Sequence, residues 1–312
     1  MSLLVERVTG VASVQDAGRP GHAHEGVPAG GAADGLSLRL ANLAVGNAPA
    51  AAGVELAAGR LQVRALARCV VAASAGAGAY RPVVLEEGQA LAVAPGRGCL
   101  RAYLAVAGGV DVPVVLGSRS TLVLAGLGGL DGRPLRAGDV LAVGRADARP
   151  ERSGRMIPHW VQAMAAQAVG RRVLRIVLDA ADGPPPAGLL QVTPRSDRVG
   201  LRLAVPVGQA SGHADEPSDR PSRAAVYGTV QRPAAGELVL LGPDGPTTGG
   251  YPTVGTVAAV DLPAVGQLVP GQWLALRTIE REQAVALLAE RERVLVGLER
   301  WLAGTDGAPW GR

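Results

Sequence analysis

Lysine and phenylalanine are both missing from this chain of 312 residues, so all 31 basic side chains are arginine. Without lysine, no Schiff base can form and no biotin can be attached to this polypeptide. The phosphate loop GxxxxGK[ST] is excluded as well, because its lysine is what reaches the nucleotide phosphates. A reaction that uses ATP or biotin in these ways needs a second chain to supply the group. The two cysteines, Cys69 and Cys99, are too few for a disulfide scaffold or a zinc site. Both lie in apolar runs and read as small core residues. Aromatic residues make up only 3%, and the arginines alternate with Asp and Glu to leave a net charge of +4. A nucleic-acid surface needs clustered basic residues with stacking aromatics, so no nucleic-acid partner is expected. Charge in Glu6-Arg7 falls where a signal peptide carries its apolar region. No apolar run approaches the ~20 residues of a membrane span. The cytoplasm is the expected location, with no membrane partner.

Hydrophobic residues account for 48%, with 44 Gly and 23 Pro. That apolar content excludes general disorder and suits about two domains. Most of the chain reads as short strands cut by Gly and Pro, at 61–66, 69–73, 90–94, 103–107, 140–143, 173–178, 238–241 and 273–276. A turn-and-strand pattern, Leu-x-x-Gly-[Gln/Asp]-x-Leu-Ala-[Val/Leu], recurs at 85–93, 135–143 and 268–276. Helices are few. Asp34 can cap one that carries Leu36, Leu40, Leu43 and Ala44 and ends near Gly46-Asn47. A short helix is expected over 158–169. A long one is expected over 280–302, with Ala284, Leu287, Leu288, Leu295, Leu298 and Leu302 as its apolar stripe, packed on its own domain or on a partner. The expected class is mainly β: two β-barrel or sandwich domains at 1–150 and 170–280, a linker at 151–169, and a C-terminal helix and tail at 281–312.

No catalytic triad is visible. His22 and His24 can share a metal only with a third ligand that the sequence does not offer nearby, so they read as solvated loop residues and no metal is expected. Four polar, Gly-rich loops stand out instead. The first runs from Gln15, Asp16 and Arg19 to Asp34; Asp16 and Arg19 either face a ligand or pair across a turn. The second holds Gly108-Gly109 and then Ser118, Arg119, Ser120 and Thr121. The third is Ser196-Asp197-Arg198-Val199-Gly200-Leu201-Arg202, and the fourth is Pro246-Thr247-Thr248-Gly249-Gly250-Tyr251-Pro252. Hydroxyls, backbone amides and arginine together suit carboxylate, phosphate or amide ligands.

In order and content these loops resemble the family of the C-type 5-oxoprolinase subunits, also known as allophanate hydrolase subunit 2 or biotin-dependent carboxyltransferase. QDxGRxG…GVPxxGxxD is Gln15–Asp34, ANxxVGN is Ala41–Asn47, and Glu55 follows. Arg101-Ala102-Tyr103-Leu104-Ala105 leads into the LGSRST stretch and into Gly128–Leu135, and the second half adds SDRxGxRL and TTGGYP. The resemblance implies two cyclophilin-like β-barrel domains. It also implies a non-autonomous subunit of an ATP-dependent 5-oxoprolinase, which opens 5-oxoproline to glutamate with a companion cyclophilin-like subunit of the B type and a third partner of the A type. The alternatives are the carboxyltransferase half of a biotin-dependent urea or amide carboxylase, with carboxybiotin on another chain, and a non-catalytic regulatory partner.

Within the resemblance, Asp16, Asp34 and Arg119 are the expected catalytic contacts. Gln15, Arg19, Asn42, Glu55, Tyr103, Ser118, Ser196, Asp197, Arg198, Arg202, Thr247, Thr248, Gly249, Gly250 and Tyr251 are the expected contacts to a small amide or lactam. The sequence departs from the family at Gly30, where Ser is usual, at Arg223, where Glu is usual, and at Pro246, where a Gln amide is lost. A Gly-Pro pair is also missing from Asp179–Pro186.

Overall fold

The computed structural model describes residues 1–75, 79–145, 156–179, 184–205, 221–233 and 237–304. The tail from 305, residues 146–155 with the start of the expected linker, and part of Asp179–Pro186 lie outside the described residues. The chain divides into two compact units. The first comprises Met1–Arg19, Gly30–Gln167 and the chain from Glu292; the second comprises Pro20–Ala29 and Ala168–Arg291. As expected, the architecture is mainly β with few helices.

In the first unit, β1 (Ser2–Gln15) passes into a loop that leads to α1 (Gly35–Ala44). Then follow β2 (Gly53–Ala65), β3 (Cys69–Ala73), β4 (Val83–Leu85), β5 (Ala90–Val93), β6 (Arg101–Val106) and β7 (Val140–Ala142). The sheet runs β4-β3-β6-β2-β1-β7, with β5 also paired to β2. Antiparallel β1 and β2 form its spine, Leu3 opposite Ala65 and Gln15 opposite Gly53. On its other edge β2 changes partners along its length, pairing with β6 through Val54–Ala57 and with β5 through Leu61–Arg64. The corner between those stretches needs glycine. Gly10 and Gly59 both have positive φ, and a Cβ on either would stand 2.4 Å from the Ala58 carbonyl oxygen or 2.1 Å from that of Thr9. The core gathers Leu3, Val5, Val14, Leu56, Leu61, Val63, Leu104 and Leu141.

The helix expected after Asp34 is α1. Asp34 caps it, accepting the Ser37 N–H, while Leu36, Leu40, Leu43 and Ala44 are buried. A second helix, α2 (His159–Val169), buries Val161 and Ala165.

The second unit is a closed barrel. Its strands are β8 (Val173–Leu178), β9 (Leu190–Val192), β10 (Gly200–Ala204), β12 (Thr229–Gln231), β13 (Glu237–Leu241), β15 (Thr253–Val257) and β16 (Trp273–Thr278). A separate ribbon joins β11 (Arg223–Ala224) to β14 (Thr248–Gly249). The barrel order is β10-β13-β12-β15-β8-β16-β9, closed by β9 on β10, and β8 with β16 is its parallel pair. Alternate residues point inward, so Leu174 and Ile176 of β8, Leu201 and Leu203 of β10, and Leu238 and Leu240 of β13 build the core. A short helix, α3 (Leu262–Gln267), follows β15. Beside it Asp261, almost fully buried, receives Nε of Arg175 at 2.9 Å and Nη2 at 2.5 Å. That bidentate pair raises the Arg175 pKa.

The long C-terminal helix, α4, spans Arg281–Ala303. Its residues from Glu292 belong to the first unit. There Arg39 of α1 donates from Nε (3.0 Å) and Nη2 (2.6 Å) to Glu299 and from Nη1 (2.5 Å) to Glu292, while Leu295 and Leu298 are buried. Glu292 and Glu299 are two helical turns apart and so share a face. This part of the helix packs on its own chain.

The recurring turn-and-strand pattern has one geometry in all three copies. Gly88, Gly138 and Gly271 have φ of 81°, 93° and 89°. The N–H of the next residue bonds back to Glu86, Arg136 or Val269. Its side-chain oxygen, on Gln89, Asp139 or Gln272, accepts the N–H of that same residue. A positive φ at the third residue is the mark of a type II turn, and Pro270 occupies the position where such turns favour proline. Each glycine N–H then ties the turn to a strand, at Ala65, Val5 or Val192.

Candidate functional site

In the first unit the polar loops fold around Asp16. Its Oδ1 accepts from the Gly18 N–H (2.8 Å) and the Ser118 hydroxyl (2.6 Å), and its Oδ2 accepts the Arg119 N–H (2.6 Å). Ser120 bonds it twice, donating from its hydroxyl to Oδ1 at 2.5 Å and accepting the Asp16 N–H at 2.9 Å. Arg19, buried, donates from Nη2 to the Ser120 carbonyl. Asp16 and Arg19 therefore converge on Ser120. Gln15, also buried, donates to the Ser13 hydroxyl (3.0 Å) and the Thr121 carbonyl (3.1 Å). The Arg119 side chain turns to the Val112 carbonyl and to Asp111, both at 3.0 Å.

The glycines expected to admit a ligand bring these loops close to one another. A Cβ on Gly31 would stand 2.8 Å from the Gly18 nitrogen. On Gly128 it would meet the Ser120 carbonyl oxygen at 2.1 Å, and on Gly129 the Thr121 hydroxyl at 1.9 Å. The glycine-rich spacing thus serves loop-on-loop packing here.

A second buried network holds the end of the first loop. Asp34 is wholly buried, its two carboxylate oxygens accepting the Ser37 N–H (3.0 Å) and hydroxyl (2.6 Å). Tyr103 accepts the Asp34 N–H at 2.7 Å and donates to Glu55 Oε2 at 2.8 Å. The same oxygen of Glu55 accepts the Ala33 N–H at 2.8 Å, and Oε1 takes Arg101 Nε at 3.1 Å. Burial, reinforced by the Glu55 and Asp34 charges, pushes the Tyr103 pKa well above the ordinary tyrosine value. The hydroxyl of Tyr80, which donates to Ser37, is pushed up in the same way. Asn42 donates to the Ala51 carbonyl at 2.7 Å and accepts from Asn47 at 3.0 Å, closing the segment after α1.

In the second unit, Arg198 donates from Nε (2.7 Å) and Nη2 (2.9 Å) to Asp244. Asp197 Oδ1 accepts the N–H groups of Val199 (2.8 Å) and Gly200 (3.1 Å), and the Ser196 hydroxyl accepts that of Arg202 (3.0 Å). Arg202 itself pairs with Glu237 at 3.4 Å. The 247–251 segment is different. Thr247 is half-buried, Thr248 and Gly250 are exposed, and Tyr251 is 56% exposed. Neither threonine hydroxyl bonds a described residue. Its backbone is held by the ribbon, Arg223 opposite Gly249 and Ala224 opposite Thr248. Arg223 pairs with Asp179 at 2.9 Å.

Three residues important to these clusters are not among the expected contacts. Ser120 and Arg101 stand within the motifs, where nothing local separates them from their neighbours. Gln231 follows Val230 in the stretch that carries the Arg223 departure, and its side chain lies beneath Gly249. His22 bonds Glu25 at 2.6 Å, and the imidazole lowers the Glu25 pKa. Among the described residues, no three His, Cys, Asp or Glu side chains come together as a metal site would require.

A β unit with glycine-packed polar loops, together with a closed barrel carrying an exposed Thr-Thr-Gly-Gly ribbon, defines a two-unit β protein whose polar chemistry lies in its loops. The chain belongs to the carboxyltransferase domain family, subdomains A and B, whose model matches residues 25–278. It is 31% identical to the C subunit of 5-oxoprolinase from Escherichia coli, across 90% of this chain and 92% of that one. It is also 31% identical to the urea amidolyase of Lachancea kluyveri, over 92% of this chain but only 17% of the longer protein. The crystal structure of the K. lactis urea amidolyase shares the fold over the full chain, with a TM-score of 0.80 at 24% identity, and the match covers 20% of that structure. The chain is therefore homologous to the C subunit of 5-oxoprolinase and to the carboxyltransferase part of urea amidolyase, a family whose members are parts of larger enzymes.

Proposed function

We propose that the chain is a non-autonomous subunit of an ATP-dependent 5-oxoprolinase-type amidohydrolase that opens 5-oxoproline to glutamate in the cytoplasm, with a companion cyclophilin-like subunit of the B type and a third partner of the A type. The observation that carries this reading is the mutual coverage with the E. coli 5-oxoprolinase C subunit, 90% of this chain and 92% of that one at 31% identity. ATP does not fit a site on this chain in the usual way, because no lysine is present to grip phosphates. Its binding is assigned to a partner.

Lactam opening needs the amide held while charge develops on its oxygen, and fixed hydrogen-bond donors are the strongest means of stabilising that charge. The Asp16 and Asp34 carboxylates and the Arg119 backbone are engaged in loop architecture, which favours a shaping role for them. Exposed Thr248, Gly250 and Tyr251 are better placed to touch a ligand. Co-purification from native cell extract, with glutamate release from 5-oxoproline assayed on the same sample, tests the reading. Turnover with two partner subunits is expected. A lone barrel partner without turnover would replace it with a regulatory role.

The homology to urea amidolyase favours a second reading, the carboxyltransferase half of a urea or amide carboxylase. With no lysine to biotinylate, the carboxybiotin would arrive on another chain. A biotinylated partner in the same co-purification would select this reading.

A further inference from the structure

Gln231 ends β12 and is 5% exposed, yet its amide makes no hydrogen bond to any described residue. A side-chain amide with no protein partner keeps its two donors and its acceptor for water or a ligand. The amide lies against Gly249, where an added Cβ would stand 2.6 Å from Nε2 and 3.9 Å from Oε1. Gly249 is not among the residues with positive φ, so its backbone does not demand glycine. What its missing side chain provides is room for the Gln231 amide. Gly249 is directly opposite Arg223 in the ribbon, and opposite residues of an antiparallel pair present their side chains to the same face. Arg223, anchored to Asp179, therefore shares a face with the space over Gln231.

We propose that Gln231 reads the amide of the substrate through a two-point hydrogen bond to a cis amide, in either a lactam or a urea. Nε2 donates to the ligand carbonyl oxygen, and Oε1 accepts the ligand N–H. A lactam ring or a urea carries both groups on one edge, whereas a trans peptide carries them on opposite edges and cannot complete the pair. Gly249 is the positioning residue, because it leaves the amide its place. The inference rests on the proposed function, since the substrates of both its readings have such an edge.

The test uses the full chain and its co-purified native complex, titrated with L-5-oxoproline, urea and cyclopentanecarboxylate by calorimetry. The last probe keeps the ring and the acid but lacks the amide edge. The amide probe that binds is expected to lose about tenfold or more in affinity on Gln231→Leu, as removing one side of a two-point contact implies. Binding of cyclopentanecarboxylate should change by less than about twofold on the same substitution. Gly249→Ala, which displaces the amide without altering it, should give the same selective loss, with thermal melts establishing that both variants are folded. Binding of 5-oxoproline identifies the lactam as the source, and binding of urea alone identifies the urea. Amide affinity unchanged in both variants overturns the role of Gln231 while glutamate release stands or falls separately. Failure of chain and complex to bind either amide also overturns it.

Discussion

Asp16 and Ser120 bond each other in both directions: the Ser120 hydroxyl donates to the Asp16 carboxylate while accepting the Asp16 backbone N–H. The reciprocity fixes two loops far apart in sequence without a salt bridge between them. Ser120→Ala leaves a buried N–H and one carboxylate contact unmet and should cost about 2 kcal/mol. Chemical denaturation checks this; a change below about 0.5 kcal/mol would show the contact to be incidental.

The hydroxyl of Tyr103 bridges Glu55 and the start of α1, which makes its protonation part of the fold. Its folded pKa is raised, so its contribution is intact below the unfolded tyrosine value near 10 and is lost as pH rises beyond that. Tyr103→Phe should be less stable at neutral pH by about 1–2 kcal/mol and show a shallower decline in alkali. Urea denaturation between pH 8 and about pH 11 measures both; parallel curves for the two proteins would contradict the assignment.

Arg39 grips Glu292 and Glu299 along one face of α4. All three side chains are partly exposed, so screening limits their worth to about 1 kcal/mol. Arg39→Met should leave melting nearly unchanged yet speed amide exchange across 292–303. Equal exchange in the variant would place the anchorage in Leu295 and Leu298 alone.

Nothing lies within 4 Å of a Cβ built on Gly138 or Gly271, so their cost of substitution comes from positive φ rather than from crowding. Ala at either position should destabilise by about 1 kcal/mol, and Asn, which tolerates that region, should lose less. Equal losses for Ala and Asn in a thermal-melt series would mean that the left-handed backbone is not the cause.

The sequence is most legible where one periodicity runs unbroken. The strands at 69–73 and 173–178 match their expected bounds to the residue, and the 158–169 and 280–302 helices match to within one position at each end. β1 escapes a pattern-based reading because Glu6-Arg7 and Thr9-Gly10 interrupt its alternation at the corner, where the strand bulges. α3 is hidden by Pro263 and Gly266, a composition that argues against helix when tertiary packing is unknown. At the candidate site, residue type reveals where polar groups gather but not which way they turn. Asp34 is legible as a cap, and the cap takes up both of its oxygens. The Gly249–Gln231 approach joins two strands through a missing side chain, which no local pattern records.

The union of β1 with β7 sets a schedule for the newborn chain. Leu4 meets Val140, and the Val5 carbonyl meets the N–H of Gly138, so the outer edge of the first strand has no neighbour until most of the first unit has been synthesised. At cellular translation speeds that delay is on the order of ten seconds. Throughout it, an apolar strand edge is open to any other nascent strand nearby. The ribosome exit and its attendant chaperones, rather than the finished fold, are where this protein is most exposed to mispairing.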